Sequence, residues 1–172
     1  VIVRLAEPAE LEAVGELTEA AYRADEFLDE TDDYAAVLRD TASRRDKATL
    51  LVAVDEGGGL LGTVTFALAG SEYAQVAGPG EAEFRMLAVA PEARGTGVGE
   101  RLIRECIRLA EEAGATALTL SSLPVMQKAH RLYGRLGFDR DPARDWEPFE
   151  GLQLLGYTLQ LQPASAPGGA QA

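Results

Sequence analysis

The chain has 172 residues, 47% of them hydrophobic, enough to bury one sizeable core in a single domain. Its 28 acidic residues against 16 basic leave a net charge of −12, which repels a nucleic-acid backbone, and no apolar run approaches the ~18 residues that span a bilayer. Neither nucleic acid nor membrane is therefore an expected partner; the lone Cys106 rules out a disulfide within the chain, and Val1–Leu5 is no signal-like core, so the expected location is cytoplasmic.

In chain order, Val1–Leu5 reads as a strand, and Leu11, Val14, Leu17 and Ala21 then recur at helical spacing. A second helix is expected over Asp33–Arg44, with Tyr34, Val37 and Leu38 as its apolar side. Thr49–Val54 and Leu60–Leu68 are β-prone runs joined by Asp55-Glu56-Gly57-Gly58-Gly59, which predicts an antiparallel hairpin. After a Gly-rich loop, Ala82–Val89 is a strand that stops at Pro91, and Gly97–Ala113 a helix whose inward face is Val98, Leu102, Cys106, Leu109 and Ala113. Ala117–Ser121 is a strand, Met126–Leu136 a helix closed by Gly137, Phe138 the start of another strand, and Gln153–Leu161 the last. The order predicts an α/β fold with a mixed, largely antiparallel sheet flanked by helices, one domain over residues 1–162, and a disordered tail over 163–172.

The segment Arg94-Gly95-Thr96-Gly97-Val98-Gly99 lies between a strand and a helix, where the helix N-terminus carries partial positive charge. Three glycines in five residues leave main-chain N–H groups open to a phosphate, and Arg94 adds a charged fork of donors. The spacing lacks the Lys of a P-loop, and Glu100 stands where the dinucleotide fingerprint needs its third glycine. A helix start that uses its glycines only for close packing is the competing structural explanation.

The same segment resembles the R/Q-x-x-G-x-G/A motif of the GNAT superfamily of N-acetyltransferases. Met86-Leu87-Ala88-Val89-Ala90-Pro91 is similar to that family's strand, and Ala129–Phe138 to its A-x-x-L-Y-x-x-x-G-F motif. The resemblance implies a GNAT-like acyl-CoA N-acyltransferase fold, acetyl-CoA as cosubstrate and no metal. It implies that Arg94, Gly95, Thr96, Gly97, Val98 and Gly99 hold the pyrophosphate, and that main-chain groups of Leu87 and Val89 bind pantetheine and the thioester carbonyl. Met126 stands where many members carry an asparagine that contacts the cofactor.

Acetyl transfer to an amine needs a neutral nucleophile and a proton for the departing sulfur. Tyr133 matches the family's general acid, a phenol protonated at neutral pH; the alternative for it is packing against the sheet. Glu83, at the head of the central strand, is the first candidate for the base, with Glu81 behind it and a plain surface carboxylate as the alternative. His130, the one histidine, suits a proton relay by its pKa but is read as surface exposed on a helix bearing Lys128 and Arg131, and Cys106 is read as a packing residue. Trp146, Tyr34 and Phe27 either line the acceptor pocket or pack as core or lid. The acidic run Asp25 to Asp33 either solvates a loop or attracts a cationic acceptor such as a polyamine, aminoglycoside or basic peptide end. The expected activity is direct transfer of acetyl from acetyl-CoA to a primary amine of a small molecule or peptide; a noncatalytic acyl-CoA sensor or scaffold is the alternative, and the reading leaves a homodimer open.

Overall fold

The computed structural model describes residues 1–27, 33–148 and 150–162. Among these are seven strands: β1 (Ile2–Leu5), β2 (Thr49–Val54), β3 (Leu60–Leu68), β4 (Ala82–Val89), β5 (Ala117–Ser122), β6 (Asp139–Arg140) and β7 (Leu155–Gln160). The five α-helices are α1 (Leu11–Ala24), α2 (Tyr34–Arg39), α3 (Thr41–Lys47), α4 (Val98–Glu112) and α5 (Gln127–Arg135). The strands form one mixed sheet in the order β1-β2-β3-β4-β5-β7-β6. Residues group into two compact units, one holding Val1–Ala67, Ser71–Tyr73 and Phe84–Cys106, the other Leu68–Gly70, Ala74–Glu83 and the described residues from Ile107 onward.

In the first unit β2 pairs antiparallel with both β1 and β3. The hairpin turn is closed by Asp55, whose Oδ1 accepts the N–H groups of Gly57 and Gly59, each at 2.8 Å. Leu50, Val52 and Val54 pack with Val14 and Ala6 into one apolar cluster. Helix α4 closes on the sheet at Gly62, where an added Cβ would stand 2.8 Å from the Ala88 carbonyl oxygen and 3.0 Å from Val98 Cγ1. That approach is too close for any larger residue.

The expected single helix over Asp33–Arg44 is two helices. Asp40 leaves helical geometry at φ −78°, ψ 64°, and its Oδ1 accepts the Ser43 N–H at 3.1 Å, so it caps α3 and interrupts the run. Val37, expected inside, is exposed, while Leu38 is fully buried. Within α4 the stripe also departs from expectation: Ile103 and Ala110 are buried with Val98, Leu102 and Cys106, Leu109 is half-buried and Ala113 is exposed beyond the helix end. Arg44 is 0% exposed. Its guanidinium donates to the Leu38 carbonyl at 2.6 Å and to the hydroxyls of Thr18 and Thr65 at 3.3 Å each, so its bonds join α3 to α1 and β3.

At the start of α1, Arg4 Nη1 and Nη2 donate to Glu10 Oε2 and Oε1 at 2.8 and 2.7 Å, and the Glu7 N–H adds a bond of 2.8 Å. The Arg4 hydrogen bonds outweigh desolvation and, with the Glu7 amide, pull the Glu10 carboxyl from 4.5 down to about 2. Because the folded value lies below the unfolded one, the stabilisation is complete above pH 4.5 and is lost as pH falls toward 2. Glu10→Gln should therefore cost about 1 kcal/mol at pH 7, the pair being partly exposed. In thermal melts the gap from the parent protein should shrink steadily through that acid window; a gap independent of pH would refute the assignment.

In the second unit β5 pairs antiparallel with β7, and β7 with β6. At the head of β4, Ala82 and Glu83 pair in parallel with Leu118 and Thr119. Helix α5 ends at Gly137, φ 95°, with the Phe138 N–H donating to the Tyr133 carbonyl at 3.0 Å, the six-to-one bond of a glycine-terminated helix. The strand expected from Phe138 is only Asp139–Arg140, with Phe138 buried ahead of it. The segment 163–172, expected to be disordered, lies outside the described residues.

Candidate active site

The turn before α4 opens to space. Gly95 and Gly97 take φ of 74° and 86°, the left-handed region that favours glycine, and among the described residues nothing lies within 4 Å of a Cβ built on either. Close packing is therefore not why these two positions are glycine. The Arg101 N–H bonds the Gly97 carbonyl at 3.1 Å, so the amides of Val98, Gly99 and Glu100 precede the first intrahelical bond of α4. Val98 buries its side chain while Arg94, Gly95, Thr96 and Gly97 are exposed, and the Thr96 hydroxyl braces the turn by donating to the Ala93 carbonyl at 2.5 Å. Exposed amides, a helix dipole and an arginine together fit a diphosphate.

Arg94 is turned onto α1: Nη1 lies 2.6 Å from Asp25 Oδ1, and Nη2 donates to the Ala21 carbonyl at 3.3 Å. The pair is more than a third exposed on both sides, so exchanging the carboxylate for a phosphate costs little. Upstream, Met86 has φ of 55°, an unusual value for a non-glycine residue inside a strand, and the half-buried Leu87 and Val89 lie beyond this kink. Residues 28–32 of the acidic run lie outside the described residues. Tyr34 and Phe27 both meet Tyr22, ring centroids 6.3 and 6.2 Å away, and Tyr34 packs against the cluster around Leu38 and Met86.

In the second unit Tyr133 is 5% exposed, its ring beside Phe138 and Tyr157 with centroids 6.0 and 5.6 Å away. Burial pushes its phenol well above the ordinary value of 10, and a hydrogen bond from the Ser122 side chain works against that rise. His130, expected at the surface, is half-buried instead: its Nε2 lies 3.0 Å from Ser122 Oγ and its ring stacks obliquely on Tyr157, centroids 5.1 Å apart. Cys106 is buried, and burial raises its thiol far above the usual range, which removes it as a nucleophile.

Residues 11–138 match the acetyltransferase (GNAT) family over most of the chain, the Gly-rich turn and Tyr133 included. The chain belongs to this family. An uncharacterized N-acetyltransferase of Schizosaccharomyces pombe is 38% identical over 89 residues, which are 52% of this chain and 50% of that protein. The chain thus matches about half the length of that curated relative. A GNAT family acetyltransferase of Staphylococcus aureus superposes with a TM-score of 0.75 at 14% identity, covering 94% of this chain and 99% of that one. A GNAT family acetyltransferase of Brucella melitensis, solved in complex with acetyl-CoA, superposes with a TM-score of 0.62 at 24% identity over 94% of this chain and 88% of that one. These likenesses establish the GNAT fold and its mixed seven-stranded sheet with flanking helices.

Against that fold, Glu83 has an unexpected setting. It is 1% exposed, and its Oε2 accepts three consecutive main-chain N–H groups, from Gln75, Val76 and Ala77, at 2.7, 2.9 and 3.1 Å. The loop is held from its other side by Arg144, which donates to the Val76 carbonyl at 2.9 Å and pairs with Glu81 at 2.6 Å and Asp141 at 2.9 Å. Glu81 is thereby engaged as well. Gln75, Val76, Ala143, Arg144, Asp145 and Trp146 line a shallow, open cleft of about 280 Å³, and the Trp146 indole donates to Ser121 Oγ at 3.1 Å. The described bonds thus tie Glu83 to a loop and Tyr133 to Ser122. Met126, at the N-terminus of α5, brings its sulfur to 3.5 Å from Ser122 Oγ.

Proposed function

We propose that this GNAT protein transfers the acetyl group of acetyl-CoA directly to a primary amine of a small molecule or peptide. The observation that carries the reading is the open, left-handed glycine turn at the head of α4, inside a family match that includes Tyr133. That match runs through both compact units, which supports one acetyltransferase domain over 1–162. Acetyl-CoA supplies the acetyl group as a thioester. The amides of Gly95–Gly99 with Arg94 hold its diphosphate, and the main chain of Leu87 and Val89 holds the pantetheine and polarises the carbonyl through N–H donors. Tyr133 gives a proton to the departing sulfur. Glu83 takes the proton that the amine must lose, through water, because its carboxylate is already engaged by the main chain of residues 75–77.

A cationic amine is the favoured acceptor class, supported by the net charge and by Asp25 at the end of α1, which arginine exchange onto phosphate releases. The test is free-thiol release from acetyl-CoA across polyamines, aminoglycosides, basic peptides and anionic amino acids, with the acetylated product weighed by mass spectrometry. Turnover with cationic amines is expected. Tight binding of acetyl-CoA with no turnover on any amine would instead make the protein a sensor. In the same assay Glu83→Gln, whose amide oxygen accepts the same three N–H groups, should keep the fold and lose about 100-fold in kcat/KM if Glu83 is the base.

A further inference from the structure

Tyr133 is one end of a hydrogen-bonded chain that continues to solvent-reaching atoms. Ser122, the last residue of β5, is 3% exposed. Its side chain bonds Tyr133, and its Oγ lies 3.0 Å from His130 Nε2. The His130 ring also bonds the Leu123 main chain, and that bond falls to Nδ1 because Nε2 is on Ser122. Tyr133 and His130 sit three positions apart on α5 and so share a face. Three side chains from two elements thus make one line, Tyr133 to Ser122 to His130, of which the last is only half-buried.

A relay answers a need that burial creates. Once Tyr133 has given up its proton, its oxygen is a phenolate among Phe138, Tyr157 and the sheet, where an unpaired charge is costly and bulk water has little access. We infer that Ser122 and His130 form a proton relay that returns to Tyr133 the proton it gives to the departing sulfur. The inference rests on Tyr133 being the acid. Tyr133 Oη loses its proton to sulfur; the neutral His130 ring takes a proton from solvent at Nε2, and Ser122 Oγ gives its own proton to Oη while taking that one from Nε2. His130 ends neutral, as it began, so each group ends with the protons it began with and solvent supplies the one that went to sulfur.

The groups facing His130 suit a donor. Tyr133 and Ser122 lie on one side, Tyr157 of β7 on another, and Arg140 of β6, whose guanidinium sits 5.7 Å from the Tyr157 ring centre, adds positive charge. Burial lowers the His130 value, the Leu123 bond opposes this, and Arg140 lowers it further, so the ring rests neutral and does not keep a proton it takes from solvent.

The experiment compares Ser122→Ala, His130→Gln and His130→Ala with Tyr133→Phe by free-thiol release, acetyl-CoA affinity by calorimetry, and melting temperature. Gln keeps hydrogen bonds at position 130 but cannot pass a proton. Ser122→Ala and His130→Gln should each lose about tenfold in kcat with KM values and acetyl-CoA affinity unchanged. Added imidazole should restore much of the His130→Ala rate, and the dependence of kcat on deuterium fraction should be curved in the parent protein and linear in the variants. Wild-type kcat in Ser122→Ala and His130→Gln, with Tyr133→Phe slow, would overturn the relay alone. Losses that imidazole does not restore and that come with raised KM would also overturn it, leaving a packing role. Wild-type kcat in Tyr133→Phe would overturn the acid assignment and the relay with it.

Discussion

Gly97→Val should weaken acetyl-CoA binding by about 100-fold while leaving the protein folded. At φ 86° a β-branched residue is strained, because its Cβ crowds the following carbonyl by roughly 1–2 kcal/mol, and relief means rotating Gly97 out of the left-handed region. That rotation re-aims the amides of Val98 and Gly99, which precede the first bond of α4. Among the described residues no atom lies within 4 Å of the new Cβ, so the valine meets no neighbour there; its side chain enters the open space assigned to the diphosphate. The two effects separate in measurement. Calorimetric titration with coenzyme A should register the loss, and pantetheine, which has no diphosphate, should bind the variant and the parent alike. A melting temperature lowered by a few degrees with unchanged coenzyme A affinity would mean that the turn is a structural device and would withdraw the assignment of residues 94–99.

That turn was legible because its chemistry is local. Glycines at fixed offsets between a strand and a helix report backbone conformation directly, and strands such as Thr49–Val54, Leu60–Leu68 and Ala82–Val89 are bounded by equally local punctuation from Gly and Pro. What the sequence hides is folded back from a distance. Glu83 at a strand head looks like any surface carboxylate until residues 75–77 curl over it and present three amides to one oxygen. Arg44 looks like a helix-terminal cation, yet it lies fully buried on Thr18 and Thr65, 26 and 21 positions away along the chain. Asp40 fits a helix interior as readily as a cap, and only the Ser43 amide decides between them. For His130 a signal did exist: three residues before Tyr133 on a helix is the same face. The cationic neighbours Lys128 and Arg131 describe the opposite face and point the wrong way.

Tyr133→Phe should lower kcat by about 100-fold, with acetyl-CoA affinity unchanged. General acids contribute roughly 10²–10⁴ in rate, and the lower end applies because a thiol, with a reference pKa near 8.5, leaves without much help. The hydroxyl is the only part removed, so the ring contacts with Phe138 and Tyr157 survive, and Ser122 keeps His130 as a partner; the cost in stability should stay near 1 kcal/mol. The pH dependence follows from burial. A phenol pushed above 10 stays protonated throughout the working range, so deprotonation of Tyr133 cannot produce a decline in kcat below about pH 10. Any alkaline decline nearer pH 8 belongs to another group and should persist in the variant. The decisive comparison varies the leaving group. With acetyl thioesters of progressively more acidic thiols, proton donation matters less, and the gap between Tyr133→Phe and the parent protein should close. If the gap is the same for every thioester, the tyrosine acts on something other than the departing sulfur, and its place in the reaction is as part of the packed wall between α5 and β7.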